Sequence, residues 1–210
     1  ANIRRQQGQG EDAVALYHKS IEIKKRTLGE KHESVALGLN NIGHVRRDQG
    51  KLDEALNLYQ KVSNMQINTL GKMNPRVGDT YNFIALVLND KGMPGEALQW
   101  HQRALNILIK SRGDNSLSVA TTRENMARIC LKQKRIGDSI ELLDKALSYY
   151  QSSIGISHCR TQDAISKLEG VRTTLLEQDR RRQDPESDAL RVKLADALDK
   201  YVNESWEDSP

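Results

Sequence analysis

Between Val35 and Val62 the apolar residues fall into two helical stripes separated by one glycine. Val35, Leu39, Ile42 and Val45 recur every three or four residues, with Arg46 closing the same face. After Gly50 a second stripe follows at Leu52, Ala55, Leu56, Leu58, Tyr59 and Val62. Gly50 stands where the first helix must end, a position that favours a left-handed residue. Asp53 and Glu54 open the second helix, where negative charge suits the N-terminal dipole. The pattern predicts an antiparallel helix hairpin.

The hairpin recurs. Gly29, Gly71, Gly113 and Gly155 are spaced 42 residues apart, and so are Gly8, Gly50 and Gly92, with Lys134 at the next step. Ala13, Ala55 and Ala97 keep the interval, with the small Ser139 continuing it; Val35, Val77 and Val119 do the same, as do Tyr17 and Tyr59. Several independent phases of one period indicate stacked structural repeats. Gly43, Ala85 and Ala127 provide small residues for close approach of paired helices. The pairs Leu28-Gly29 and Leu70-Gly71 end second helices, and Pro75 suits the first turn of the helix after it.

The segments "LGEKHESVALGLNNIGHVRRDQGKLDEALNLYQK" and "LGKMNPRVGDTYNFIALVLNDKGMPGEALQWHQRALNI" carry a family resemblance. The chain resembles tetratricopeptide repeat arrays of the kinesin light chain type over about residues 1 to 175, with weaker copies from Ser111 and from Ile154. Arg46, Leu88 and Cys130 depart from the resemblance, occupying a position that is usually aromatic. The resemblance implies an all-α, right-handed superhelical solenoid of antiparallel helix pairs. The expected organisation is a repeat array over 1–183: a partial first repeat, repeats at about 28–69, 70–111 and 112–154, then an unpaired long helix through Ile165, Leu168, Val171, Leu175 and Leu176. A capping helix over 184–203 follows, with Leu190, Leu194, Ala197, Leu198 and Tyr201 on one stripe, because a last repeat otherwise exposes its stacking face. Residues 204–210 form an acidic tail.

Composition agrees with an all-α chain. Aromatics make up 4% and charged residues 29%, strong helix formers are abundant, and only four prolines interrupt the chain. No apolar run approaches the roughly 18–20 residues of a membrane span. The opening "ANIRRQQGQG" has no apolar core like a secretory signal and reads as the second half of a helix. Cys130 and Cys159 have no metal or redox spacing, which suits reduced thiols in a cytoplasm-like compartment, or an organelle if a targeting segment precedes Ala1. The formal charge of +4 hides an asymmetry: residues 184–210 carry −5 and the remainder +9. A basic body suggests acidic partners, or its own tail.

Catalytic chemistry is not indicated. His18, His32, His44, His101 and His158 are scattered without metal-ligand spacing, and no phosphate loop or nucleophile elbow occurs. No enzyme, cofactor or metal is expected. Nucleic acid is not expected either, since the basic run "DRRRQD" at Asp179–Asp184 is flanked by acids and lacks interleaved aromatics.

Binding of another protein remains. The resemblance implies that first helices line a concave groove, and places there Asn40, Asn41, His44 and Arg47, then Asn82 and Asn89, then Asn125, Arg128 and Lys132. Carboxamides there would clamp an extended peptide backbone. Arg and Lys beside them would select acidic ligands, with Asp79, Asp90 and Glu124 weakening that preference. The tail "NESWEDSP" sets Trp206 among Glu204, Glu207 and Asp208, which resembles the tryptophan-acidic cargo motifs of kinesin light chains. It is a candidate for docking in the chain's own groove. The expected role is an adaptor that holds a partner's peptide segment; the alternatives are a structural or assembly subunit held through its convex face and cap, and, more distantly, an RNA-binding solenoid.

Overall fold

The computed structural model describes residues 10–155, 157–179 and 185–202. The chain divides into two compact units, Ala1–Gly113 and Asp114–Pro210. In the first lie α1 (Gly10–Leu28), α2 (Glu33–Asp48), α3 (Leu52–Leu70), α4 (Pro75–Asp90) and α5 (Pro94–Arg112). The second holds α6 (Leu117–Lys132), α7 (Ile136–Ile154), α8 (Cys159–Asp179) and α9 (Pro185–Val202).

Each first helix packs most heavily on its own second helix, α2 on α3, α4 on α5 and α6 on α7. In the first unit α2 also packs on α1, and α4 on α3. The apolar stripes are what is buried. Val35, Leu39, Ile42 and Val45 meet Ala13, Val14, Tyr17, Ile21 and Val62 in one cluster. The helix pairs approach closely because a glycine lies in the seam: a Cβ built on Gly43 would stand 2.7 Å from the Tyr59 ring.

Termination follows the repeat. Gly50 (φ 74) and Gly92 (φ 77) close their helices in left-handed conformation. The Lys51 N–H reaches back to the Arg46 carbonyl at 2.9 Å, and Gly50 N–H to that of Arg47 at 2.9 Å. Lys134, at the equivalent place, holds the same geometry at φ 62 without being glycine. Left-handed backbone costs a residue with a Cβ about 1 kcal/mol. Lys134→Gly is therefore expected to stabilise the second unit by about that amount in a urea melt.

Helix starts use an acceptor repeated through the sequence. His32 Nδ1 accepts from Ser34 N–H at 3.1 Å, Asn74 Oδ1 from Arg76 N–H at 3.0 Å, and His158 Nδ1 from Arg160 N–H at 3.1 Å. Two of the scattered histidines are thus helix caps.

The three residues that stand where the resemblance implies an aromatic, Arg46, Leu88 and Cys130, solve the seam differently. Leu88 and Cys130 are simply buried, and burial pushes the Cys130 thiol pKa up. Arg46 instead ties α1 to α3, bonding Glu11 at 2.6 Å and Glu54 at 3.0 Å. Lys51 adds a bond to Glu11 at 2.9 Å. Lys51 and then Arg46 hold the Glu11 carboxyl at about 2, below its ordinary 4.5. A lowered carboxyl pKa contributes stability that is complete above the unfolded value and is lost as pH falls toward the folded one. Glu11→Gln should therefore flatten the fall in melting temperature between pH 4.5 and 2, read by circular dichroism across that range.

The second unit has its own core, in which Ile140, Leu143 and Leu147 of α7 meet Ala164, Leu168 and Val171 of α8 and Leu194 and Leu198 of α9. After the long helix α8, α9 packs on α8 and also touches α7. Leu190 lies against Gly137, 3.1 Å from where a Cβ would sit. Helix α8 starts at Cys159, and the side chains of Leu175, Leu176 and Tyr201, which were assigned to the apolar stripes of α8 and α9, lie outside the described residues.

Candidate functional site

In the first unit, burying the apolar stripes of α2 and α4 leaves one side of each helix outward. On α2 this side carries Leu37, Asn41, His44 and Asp48, at helical steps of four, three and four. On α4 the positions 42 residues later carry Asp79, Phe83, Leu86 and Asp90, with Asn82 and Asn89 beside them.

The two outward sides are joined by rings and by charge. Phe83 meets His44 edge-on, with ring centroids 4.5 Å apart, and lies 5.4 Å from the Tyr59 ring. His44 is fixed from below by Tyr59, whose hydroxyl lies 2.8 Å from His44 Nδ1. Arg47 Nε bonds Asp90 Oδ2 at 2.5 Å across the same gap.

The sequence-derived residues are placed unequally. Asn41 and Asn89 are half-buried, and neither side chain bonds another described residue. Asn82 is half-buried too, with its Oδ1 2.8 Å from Nδ1 of the fully buried His101. Asn40 lies beneath the face at 8% exposure, and its Oδ1 has no hydrogen-bond partner among the described residues. Arg47 is beside the face, but Asp90 cancels its charge.

Charge pairing goes further. Arg112 holds Asp79 through two bonds at 3.1 and 2.9 Å, and Arg76 pairs with Glu33. The acidic selectivity expected from Arg47 is therefore not what this unit offers. Its face is close to neutral, made of carboxamides and rings. Phe83 and Leu86, half-buried in the middle of it, were missed from sequence because an apolar residue in a helical stripe reads as core.

The second unit differs. On α6, Asn125 is half-buried while Arg128 and Lys132 are exposed, and Arg128 Nη2 lies 3.4 Å from Asn125 Oδ1. Glu124 faces inward to Tyr150, whose hydroxyl donates to it at 2.9 Å, and also accepts from Lys167. Burial pushes the Tyr150 phenol up to about 12, so it remains a donor at neutral pH. Burial opposes the charged form of Lys167, but its bonds to Asp163 and Glu124 outweigh that and raise its pKa. With Glu124 matched, Arg128 and Lys132 leave this face basic.

Among the described residues no group of three or more His, Cys, Asp or Glu side chains could hold a metal ion. No described helix is long and apolar enough to cross a membrane. Trp206, Glu204, Glu207 and Asp208, and the arginines of "DRRRQD", lie outside the described residues.

The tetratricopeptide repeat family model matches residues 1–68 and 76–152. The chain belongs to the tetratricopeptide repeat family. No curated protein matches it. Among solved structures the repeat array is similar to BtubC (BKLC) from P. vanneervenii, with TM-score 0.76 and 14% identity over 100% of this chain and 79% of that one. A Podosopora anserina protein described as a kinesin light chain, with nearly identical TPR-like repeats, gives TM-score 0.67 and 20% identity over 95% and 92%. MamA gives 0.58 and 13% over 97% and 93%. The tetratricopeptide fold is thus an all-α repeat solenoid of the kinesin light chain-like form, an architecture that serves as a protein interaction scaffold.

Proposed function

We propose that this tetratricopeptide repeat protein is a non-catalytic adaptor whose first-helix faces hold an extended peptide segment of a partner protein. The observation that carries the reading is the outward sides of α2 and α4, where half-buried Asn41 and Asn89, which bond no described side chain, occur together with half-buried Phe83 and Leu86. An extended peptide presents N–H donors and C=O acceptors alternately, and a carboxamide answers both. The Phe83 ring, steadied by His44, offers an apolar seat for one side chain of the ligand. In the second unit Arg128 and Lys132 suit an acidic side chain.

Peptides selected by phage display on the whole chain test this. Asn41→Ala/Asn89→Ala removes two side chains that bond no other described residue, so the fold is left intact. The selected peptides should bind the double variant about tenfold more weakly or worse. Equal binding to both proteins would remove the reading.

One observation favours the alternative of a subunit fixed in a larger assembly. Leu16 and Ile23 of α1 are 40% and 63% exposed. Their repeat equivalents Leu58 and Met65, and Trp100 and Ile107, are half-buried or buried. A partner seated on α1 would cover them.

A further inference from the structure

The second helices of the first unit carry a surface that the first-helix reading does not use. On α3 four carboxamides, Asn57, Gln60, Asn64 and Asn68, recur at helical spacing along one exposed side. They line an open cleft of about 440 Å³ that is completed by Lys31, from the turn before α2, and by Lys61. The half-buried Met65 forms its apolar part. No acidic residue lines the cleft. None of the four carboxamides or the two ammonium groups bonds another described side chain, whereas Lys25, Lys51 and Lys91 of the same unit are all paired with carboxylates.

The composition is repeated where the period places it. The corresponding side of α5 carries Gln99, Gln102, Arg103, Asn106 and Lys110, all exposed and again without an acid. The outer positions of other second helices are not kept this way: α1 has Glu22 at the place of Asn64, and α7 has Glu141 and Asp144 at those of Asn57 and Gln60.

We propose that the cleft on α3 is a second docking site, separate from the first-helix face, for an acidic peptide segment bound in extended conformation. Its length suits such a ligand. Asn57 to Asn68 is eleven helical steps, about 16 Å, which an extended peptide crosses in about five residues. Carboxamides would bond the peptide backbone, Lys31 and Lys61 would each take a carboxylate, and Met65 would seat one apolar side chain. A peptide fits better than a nucleic acid. A phosphate backbone offers acceptors alone, so it would use the amide N–H groups and leave four carboxamide oxygens without donors. The lining also has no aromatic ring on which a base could stack.

The test uses the full chain labelled with ¹⁵N and follows side-chain amide resonances by NMR. The probe is an acetylated, amidated pentapeptide of alternating glutamate and leucine, with the lysine–leucine analogue and a five-nucleotide oligothymidylate as controls. The acidic peptide should shift the Asn57, Asn64 and Asn68 amides saturably, and the lysine analogue should not. Lys31→Glu/Lys61→Glu should weaken binding about tenfold or more without changing the helical spectrum or the melting temperature. Asn41→Ala/Asn89→Ala should leave it unchanged, so that failure of this site and failure of the first-helix site are read separately. The proposal is overturned if no saturable shift occurs at millimolar peptide, if the shifts map to α2 and α4, if the double lysine variant binds normally, or if the oligonucleotide binds as tightly as the peptide.

Discussion

Gly43→Ala is expected to destabilise the first unit by about 1–3 kcal/mol. Helix propensity alone points the other way, since alanine in a helix interior is favoured over glycine by about 1 kcal/mol. Packing decides the sign. The added methyl would lie 2.7 Å from Cε1 and 2.8 Å from Cζ of Tyr59. That ring is fully buried, hydrogen-bonded to His44 and set against Phe83, so it has nowhere to withdraw. The other repeats show the same trade in their sequence: Ala85 and Ala127 stand where the facing positions are His101 and Leu143, both smaller than tyrosine. Tyr59→Leu in the Gly43→Ala background should accordingly recover part of the loss, which a double-mutant cycle in urea would register as coupling. Additive effects would mean that the glycine is not there to admit the ring.

Leu194→Ala/Leu198→Ala is expected to cost the second unit roughly 2–5 kcal/mol for each side chain. These residues are 3% and 9% exposed and place α9 on the core shared by α7 and α8. Losing them uncovers Leu168 and Leu147, which are fully buried. Because the chain forms two compact units, the loss should appear as a separate early transition in urea, with the transition of residues 1–113 nearly unmoved. A single transition shifted as a whole would mean that the units unfold together.

The sequence made the helices legible because one period governs termini, seams and stripes together. Gly50, Gly92 and Pro75 do locally what the repeat requires. The binding face was legible only in part. Asn40 and Asn41 are adjacent and identical, yet about 100° of helix rotation puts one beneath the face and the other on it. Composition cannot separate them. Phe83 and Leu86 were hidden for the converse reason, being apolar residues at positions filled in the preceding repeat by Asn41 and His44. Arg47 looked like a free cation because its partner Asp90 is 43 residues away, one helix pair further on. The 42-residue period says nothing of α9, since no residue spacing of 42 links it to α8; only its own apolar stripe at Leu190, Leu194, Ala197 and Leu198 pointed to a cap.

These placements also choose the variant. Asn40 and Asn82 are tied to packing, one buried and the other bonded to His101, so replacing them would perturb the fold along with any ligand. Asn41 and Asn89 are free of that difficulty. The most direct measurement is affinity capture from the native source with the whole chain and with its Asn41→Ala/Asn89→Ala variant, comparing bound proteins by quantitative mass spectrometry. The adaptor account predicts a partner set that the variant loses, whose members share a segment that binds the purified chain as a peptide. A stable set retained in full by the variant would contradict it, and would mean a subunit held in its assembly by other surfaces.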